Sequence, residues 1–476
     1  MTQDLTYMSA TDLLAAYRDK TISPVEATKA ALKQIETYDP VLNAFVFVDE
    51  EGALAAAKES EDRWMKGTPM GLVDGVPTTV KDIMLMKGFP TLKGSKLVDP
   101  AGPWEEDSPA VERLREHGAV FLGKTTTPEF GYKGVTDSPL SGITRNPWNP
   151  DRTPGGSSGG ASAACAAGMG TLHTGTDGGG SIRIPAAFAG IFGIKASFGR
   201  VPVWPASAFG TVSHVGPMTR NVLDSALMLD VMSGFDVRDW YSLPETDINY
   251  RDNQEGGFKG LKIAYSRDLG YVKNLDPEIA KAVDDAVQMI RDAGGDVEEI
   301  DPGFDNPLDI FTTLWYSGAA YAMKDAPAAA REMLDDGLKE VVREGEQYTL
   351  TDFYDASVAR TELGIRMRAF HEKYHLLLTP SLAVTAFEAG KMVPGQGGDM
   401  PHVTNWVDWT PYSYPFNLTQ QPACSIPCGL SSEGLPIGLQ IVGPMHQDQL
   451  VLQAAAAFEK LSPMTGKRPD LSKLLK

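Results

Sequence analysis

Between Arg152 and Pro185 two glycine-rich clusters, Gly155-Gly156-Ser157-Ser158-Gly159-Gly160 and Gly178-Gly179-Gly180-Ser181, flank a short stretch of small and apolar residues. Glycine is kept where backbone must take positive φ or where its amides must come close to another group. Serines set in such loops are candidate nucleophiles. The run Met169 to Gly175 reads as a strand, and Ile182-Arg183-Ile184-Pro185-Ala186 reads as the start of a helix. Ser181 therefore falls at a strand-to-helix turn, where the amides of Gly178, Gly179, Gly180 and Ser181 can converge on an oxyanion and the helix terminus adds partial positive charge. A tight turn with a capping serine would need only one glycine.

A serine hydroxyl is a weak nucleophile without a base. Lysine serves when it is neutral, and Lys81 closes the strand-like segment Gly75-Val76-Pro77-Thr78-Thr79-Val80. Burial beside hydroxyls would lower its pKa from about 10.4, each unit being about 1.4 kcal/mol. The competing reading of Lys81 is a surface ion pair with Asp82.

Two further motif matches compete with this one. Gly118 to Thr125 fits the phosphate-loop pattern GxxxxGK[ST], but its intervening residues are themselves strand-like and Pro128 interrupts the helix that should follow. Gly156-Ser157-Ser158-Gly159-Gly160 contains GxSxG, which would make Ser158 the nucleophile of an α/β-hydrolase-like esterase with a later acid and histidine. His371, His375, His402 and His446 follow in the right order. The elbow needs a strand leading into the serine, however, and Asp151-Arg152-Thr153-Pro154 reads as a turn.

The elements around these residues alternate. Helices are expected from Ala10 to Asp19 after Ser9, from Ser23-Pro24 to Tyr38, and from Glu50 to Trp64, so residues 1–66 are helical. A signature core spans about 75–200, with a strand at Ala119–Leu122 and a helix over Ser108–Glu116. Next come strand Leu261–Tyr265, helix Pro277–Ala293, strand Asp296–Ile300, a helical middle over about 275–375, and strand Tyr374–Leu378. A hairpin of Ala423–Gly429 and Pro436–Val442, then a helix from Asp448, fill about 420–462. The pattern implies βαβ units in a mixed or parallel sheet. Thr246–Gly257 is the one plausible linker, and a single large domain over 1–476 is expected.

Composition narrows the function. The 476 residues are 42% hydrophobic and 22% charged, enough for a large core, and the formal charge is −19. That sign disfavours nucleic acid as a partner. No signal segment and no apolar window of membrane-spanning length is evident, so a soluble, cytoplasmic chain is expected. Cys165, Cys424 and Cys428 form neither a disulfide framework nor a zinc site, Cys165 reads as a small core residue, and no metal or cofactor is expected.

Taken together, Lys81, Ser157 and Ser181, with Gly-Gly-Ser-Ser-Gly-Gly around the first serine and Gly-Gly-Gly-Ser-Ile-Arg-Ile-Pro-Ala-Ala around the second, resemble the amidase signature family. The similarity continues through Asn146-Pro147-Trp148, Gly190 to Lys195, and Gln421-Pro422-Ala423 to Gly443-Pro444. The resemblance implies one compact α/β/α fold with a large mixed sheet flanked by helices. It also implies a Ser-Ser-Lys relay: Ser181 attacks the amide carbonyl, Ser157 follows a cis peptide and shuttles the proton, and neutral Lys81 receives it. Thr176, Asp177, Arg183 and Ser158 match positions that support the loop. Gly178 stands where relatives often carry a larger residue, which points to a more mobile loop or a roomier pocket.

The expected function is a free-standing hydrolase of a small organic amide, releasing carboxylate and ammonia or amine through an acyl-enzyme. Gly131, Tyr132, Trp204 and Trp315, together with Tyr316 and Trp406 to Trp409, are the expected pocket wall, and their aromatic density suggests an apolar or aryl group. The alternatives are a glutaminase subunit of the amidotransferase A type working in a complex, and a non-catalytic binding protein. A homodimer is the default assembly.

Overall fold

The computed structural model describes residues 4–252, 254–395 and 405–475. Within them, besides a two-stranded ribbon of Asp137–Ser138 and Gly142–Ile143, the strands are β1 (Phe45–Val48), β2 (Pro77–Lys81), β3 (Val120–Thr125), β4 (Leu172–Asp177), β5 (Phe192–Lys195), β6 (His214–Thr219), β7 (Lys262–Tyr265), β8 (Asp296–Glu299), β9 (Leu376–Pro380), β10 (Ala423–Leu430) and β11 (Pro436–Val442). All eleven join one sheet in the order β1-β3-β2-β4-β6-β5-β10-β11-β9-β7-β8. The sheet is mixed: β3, β2 and β4 run parallel, as do β9, β7 and β8, and the remaining neighbours are antiparallel.

Side-chain alternation divides the core between the two faces of the sheet. Leu376 and Leu378 of β9 and Ile263 and Tyr265 of β7 pack with helices Val222–Met232, Pro277–Asp292 and Asp448–Glu459. Leu377 and Ala264 point the other way, into a cluster built on Leu308–Ala322, Asp336–Gly345 and Leu350–His371. The edge strand β8 keeps Asp296, Glu298 and Glu299 exposed. Charge on an outer strand discourages pairing with another sheet.

Local chemistry sets the helix starts. The Ser9 hydroxyl accepts from the Asp12 amide at 3.0 Å, and Ser23 and Glu26 close a reciprocal capping box with Pro24 in the first turn. That second helix runs beyond Tyr38 to Leu42 with Pro40 inside it, ending where Asn43 turns left-handed and returns its N–H to the Asp39 carbonyl at 2.8 Å. Between β8 and β9 the helical middle is four helices among the described residues, not one run, and Asp335 and Thr349 each cap a new start. The Thr246–Gly257 linker includes Asn253, outside the described residues. Its neighbour Tyr250 is buried and its amide is donated to Asp230 at 2.6 Å, tying the segment to helix Val222–Met232. No helix among the described residues is long and apolar enough to cross a membrane.

Candidate active site

Lys81 and Asp177 end the parallel strands β2 and β4, the end of an α/β sheet where ligands generally bind. Lys81 is fully buried and is no surface ion pair: the neighbouring Asp82 is held by Lys124 at 2.9 Å. Lys124 belongs to the GxxxxGK[ST] match, whose interior is β3 itself, so no phosphate loop forms there.

The Lys81 amine lies 2.7 Å from Ser157 Oγ, 2.9 Å from Ser158 Oγ and 2.8 Å from Thr176 Oγ1. Burial pushes its pKa well below the usual lysine value, against a smaller opposing pull from the Asp177 carboxylate. A neutral amine offers two N–H donors and one lone pair. Ser158 donates its hydroxyl to the Thr176 carbonyl at 3.2 Å, so it can only accept from Lys81. The lone pair is left for Ser157 or Thr176. Ser157 follows a cis peptide from Gly156, as the family resemblance implies.

Ser157, Thr176, Gly178 and Ser181 open on one cavity of about 280 Å³. Ser158 does not line it, is fully buried, and no described histidine reaches it; the esterase reading of Ser158 fails on access. His371 is occupied by the Tyr374 carbonyl and Gln421, and His402 lies outside the described residues.

The turn that carries Ser181 is braced from below. Asp177 and Arg183 are both fully buried, with Arg183 donating to Asp177 through Nε and Nη2, each at 3.0 Å. The guanidinium also reaches the Ser413 carbonyl at 2.9 Å, Gln440 Oε1 at 2.8 Å and Asn417 Oδ1 at 2.6 Å. Burial alone would raise the Asp177 pKa, yet Arg183 holds it well below the ordinary carboxylate range. Asn417 and Ser413 add bonds to the Asp177 carbonyl at 2.9 Å and the Gly179 carbonyl at 2.7 Å. Sequence reasoning missed Ser413, Asn417 and Gln440. They lie far along the chain, and Gln440 sits inside the expected hairpin as one polar residue among apolar ones.

Two expectations about the glycines change. The Gly180 N–H is donated to Asp177 Oδ1 at 2.8 Å, which removes it from the anion-facing set. The N–H groups of Gly178, Gly179 and Ser181 make no hydrogen bond within the described residues. Gly178 does not leave a roomier pocket, because Trp315 fills the space: a Cβ there would stand 2.6 Å from its ring. Trp315 stacks on Phe209 with ring centroids 3.7 Å apart and donates its indole N–H to the Tyr132 carbonyl at 3.1 Å.

Gly131, Trp204 and Trp315 line the cavity, whereas Tyr132, Tyr316 and the segment Trp406 to Trp409 do not. Tyr132 is buried with its hydroxyl on Asp335, and Trp406 packs behind Trp315 at 5.9 Å between centroids. Phe130, Phe209 and Met323 complete an apolar wall that the sequence did not single out.

The Amidase family profile matches residues 26–452. The chain is 36% identical over 474 residues to an acylamidase of Rhodococcus erythropolis, covering 98% of both chains. It is 34% identical over 484 residues to the A-type subunit of a glutamyl-tRNA(Gln) amidotransferase from Geobacter metallireducens, covering 96% of this chain and 97% of that one. Among solved structures, a bacterial aryl acylamidase of the amidase signature family superposes with a TM-score of 0.88 at 30% identity, over 97% of this chain and 99% of that one. The chain belongs to the amidase family and is an amide-hydrolysing enzyme.

Proposed function

We propose that the protein hydrolyses a small, largely apolar amide with Ser181 as nucleophile, Ser157 as proton shuttle and neutral Lys81 as base. Attack of Ser181 Oγ on the carbonyl carbon passes its proton through Ser157 to Lys81. The amides of Gly178, Gly179 and Ser181 hold the oxyanion. Collapse expels the amine, which takes the proton back along the same hydroxyls, and water then hydrolyses the ester on Ser181. The observation that carries this reading is a desolvated lysine 2.7 Å from a serine that shares a cavity with a second serine.

The cavity wall favours an acylamide over glutamine. Glutamine brings an ammonium group, and no acidic side chain lines this cavity among the described residues. Aryl acylamidase and acylamidase relatives support the same choice. A homodimer in a cytoplasmic setting is proposed as the working state, with sedimentation velocity as the check on assembly.

The test is labelling with a fluorophosphonate and locating the adduct by mass spectrometry. An adduct on Ser181, absent in Ser181→Ala, is expected; one on Ser158 would overturn the assignment. Ser181→Ala should abolish turnover of an anilide panel while melting like the parent.

A further inference from the structure

One ionisable side chain, Lys93, lies among the described residues that line the active-site cavity. It sits in the loop that leaves β2, with its backbone in the left-handed region at φ 55° and its carbonyl accepting the Phe130 N–H at 2.7 Å. That bond fixes it beside Phe130, which is itself on the wall. Asp82, the carboxylate whose charge acts on it, makes no ion pair with it, and its contacts are made through Oδ1 while Oδ2 is buried without a hydrogen-bond partner. Asp82 is bonded to Lys124 at 2.9 Å and to the Leu92 amide at 3.3 Å.

No described residue forms a hydrogen bond or ion pair with the Lys93 amine, which distinguishes it from Lys81, Lys124, Lys133 and Lys195. The neighbouring wall offers Ile83, Met84, Trp204, Phe209 and Met323. Burial lowers the Lys93 pKa, with Asp82 pulling weakly the other way. A cation left without a partner beside apolar surface is stabilised by whichever anion arrives, because the attraction is strong where water is excluded. The molecule as a whole carries −19, so this lysine is a local exception to its field.

We infer that Lys93 is a specificity-determining residue that binds an anionic substituent, a carboxylate, on the group of the amide substrate that fills the apolar cavity. The inference rests on the amidase reading of the same cavity and narrows its substrate class. A cavity of about 280 Å³ lies at the small end of ligand sites, which suits a single-ring amide bearing one carboxylate. The ammonium of an amino acid would find no counter-charge there.

The experiment measures binding separately from turnover. In Ser181→Ala protein, titration calorimetry compares acetanilide with 3- and 4-acetamidobenzoate, which differ from it by the carboxylate. At least one carboxylate ligand should bind about tenfold or more tightly than acetanilide. Lys93→Met should erase that preference without weakening acetanilide, and Lys93→Arg should keep it. In the active enzyme the same substitution should raise KM for the carboxylate substrate and leave kcat within about twofold. Equal binding of all three ligands, no measurable binding of any, or a preference that survives Lys93→Met overturns the inference. Failure of the amidase reading has a different signature, since turnover persisting in Ser181→Ala would refute that reading whatever Lys93 does.

Discussion

An amine enclosed by Ser157, Ser158 and Thr176 gains little from carrying a charge, and this fixes how the enzyme should respond to pH. The folded-state pKa of Lys81 lies below its unfolded value. Between the two values the unfolded chain binds one proton more than the folded one, so this group makes stability rise with pH across that window, by about 1.4 kcal/mol per unit. Lys81→Met should flatten that slope in denaturant titrations at several pH values. Turnover should fall as pH is lowered and Lys81 takes a proton, and level off above its lowered pKa, as a pH–rate profile would show. Lys81→Ala should lower kcat by about 10²–10⁴ at every pH, the usual worth of a general base. A second test at this scale uses Gly178, where an added methyl would meet the Trp315 ring at 2.6 Å. Gly178→Ala should shift indole fluorescence and lower kcat/KM together, as measured on one anilide.

The elements that carry the site differ in how openly the sequence announced them. Lys81, Ser157 and Ser181 were legible because each sits inside a local pattern: a strand end, a glycine cluster, a strand-to-helix turn. Ser413, Asn417 and Gln440 were not, since their role exists only once β11 lies beside β9 and β10 and Gln440 comes into register with Thr379 and Ser425. Strands β5 and β6 escaped for a related reason. Gly193, Gly216 and Pro217 lower strand propensity, and burial in the middle of the sheet overrides it. Helix Arg183–Ala189 is the element on which this matters most, because its first residue satisfies Asp177. Arg183→Ala should destabilise the fold by about 3–5 kcal/mol by leaving a buried carboxylate unpaired. Urea unfolding measures that loss, and Asp177→Asn in the same background should recover part of it.

Across the molecule the sheet places the site on one end of its parallel strands and apolar clusters on its two faces, and Trp315 belongs to both a cluster and the cavity wall. The expectation of a large mixed sheet flanked by helices holds. Among the described residues no group of histidine, cysteine or carboxylate side chains is arranged to hold a metal ion. Incubation with EDTA followed by desalting should therefore leave kcat unchanged. Trp315→Ala, by removing a ring stacked between Phe209 and Phe311, should cost about 3–5 kcal/mol and widen the range of anilides accepted.

The Arg183 contact to Gln440 spans 257 positions of the chain. During synthesis both serines and the lysine leave the ribosome long before the residues that clamp the turn beneath them. A nascent polypeptide halted short of β11 would hold Lys81, Ser157 and Ser181 but lack the Gln440 contact to Arg183, so the brace beneath the turn is completed only near the end of synthesis.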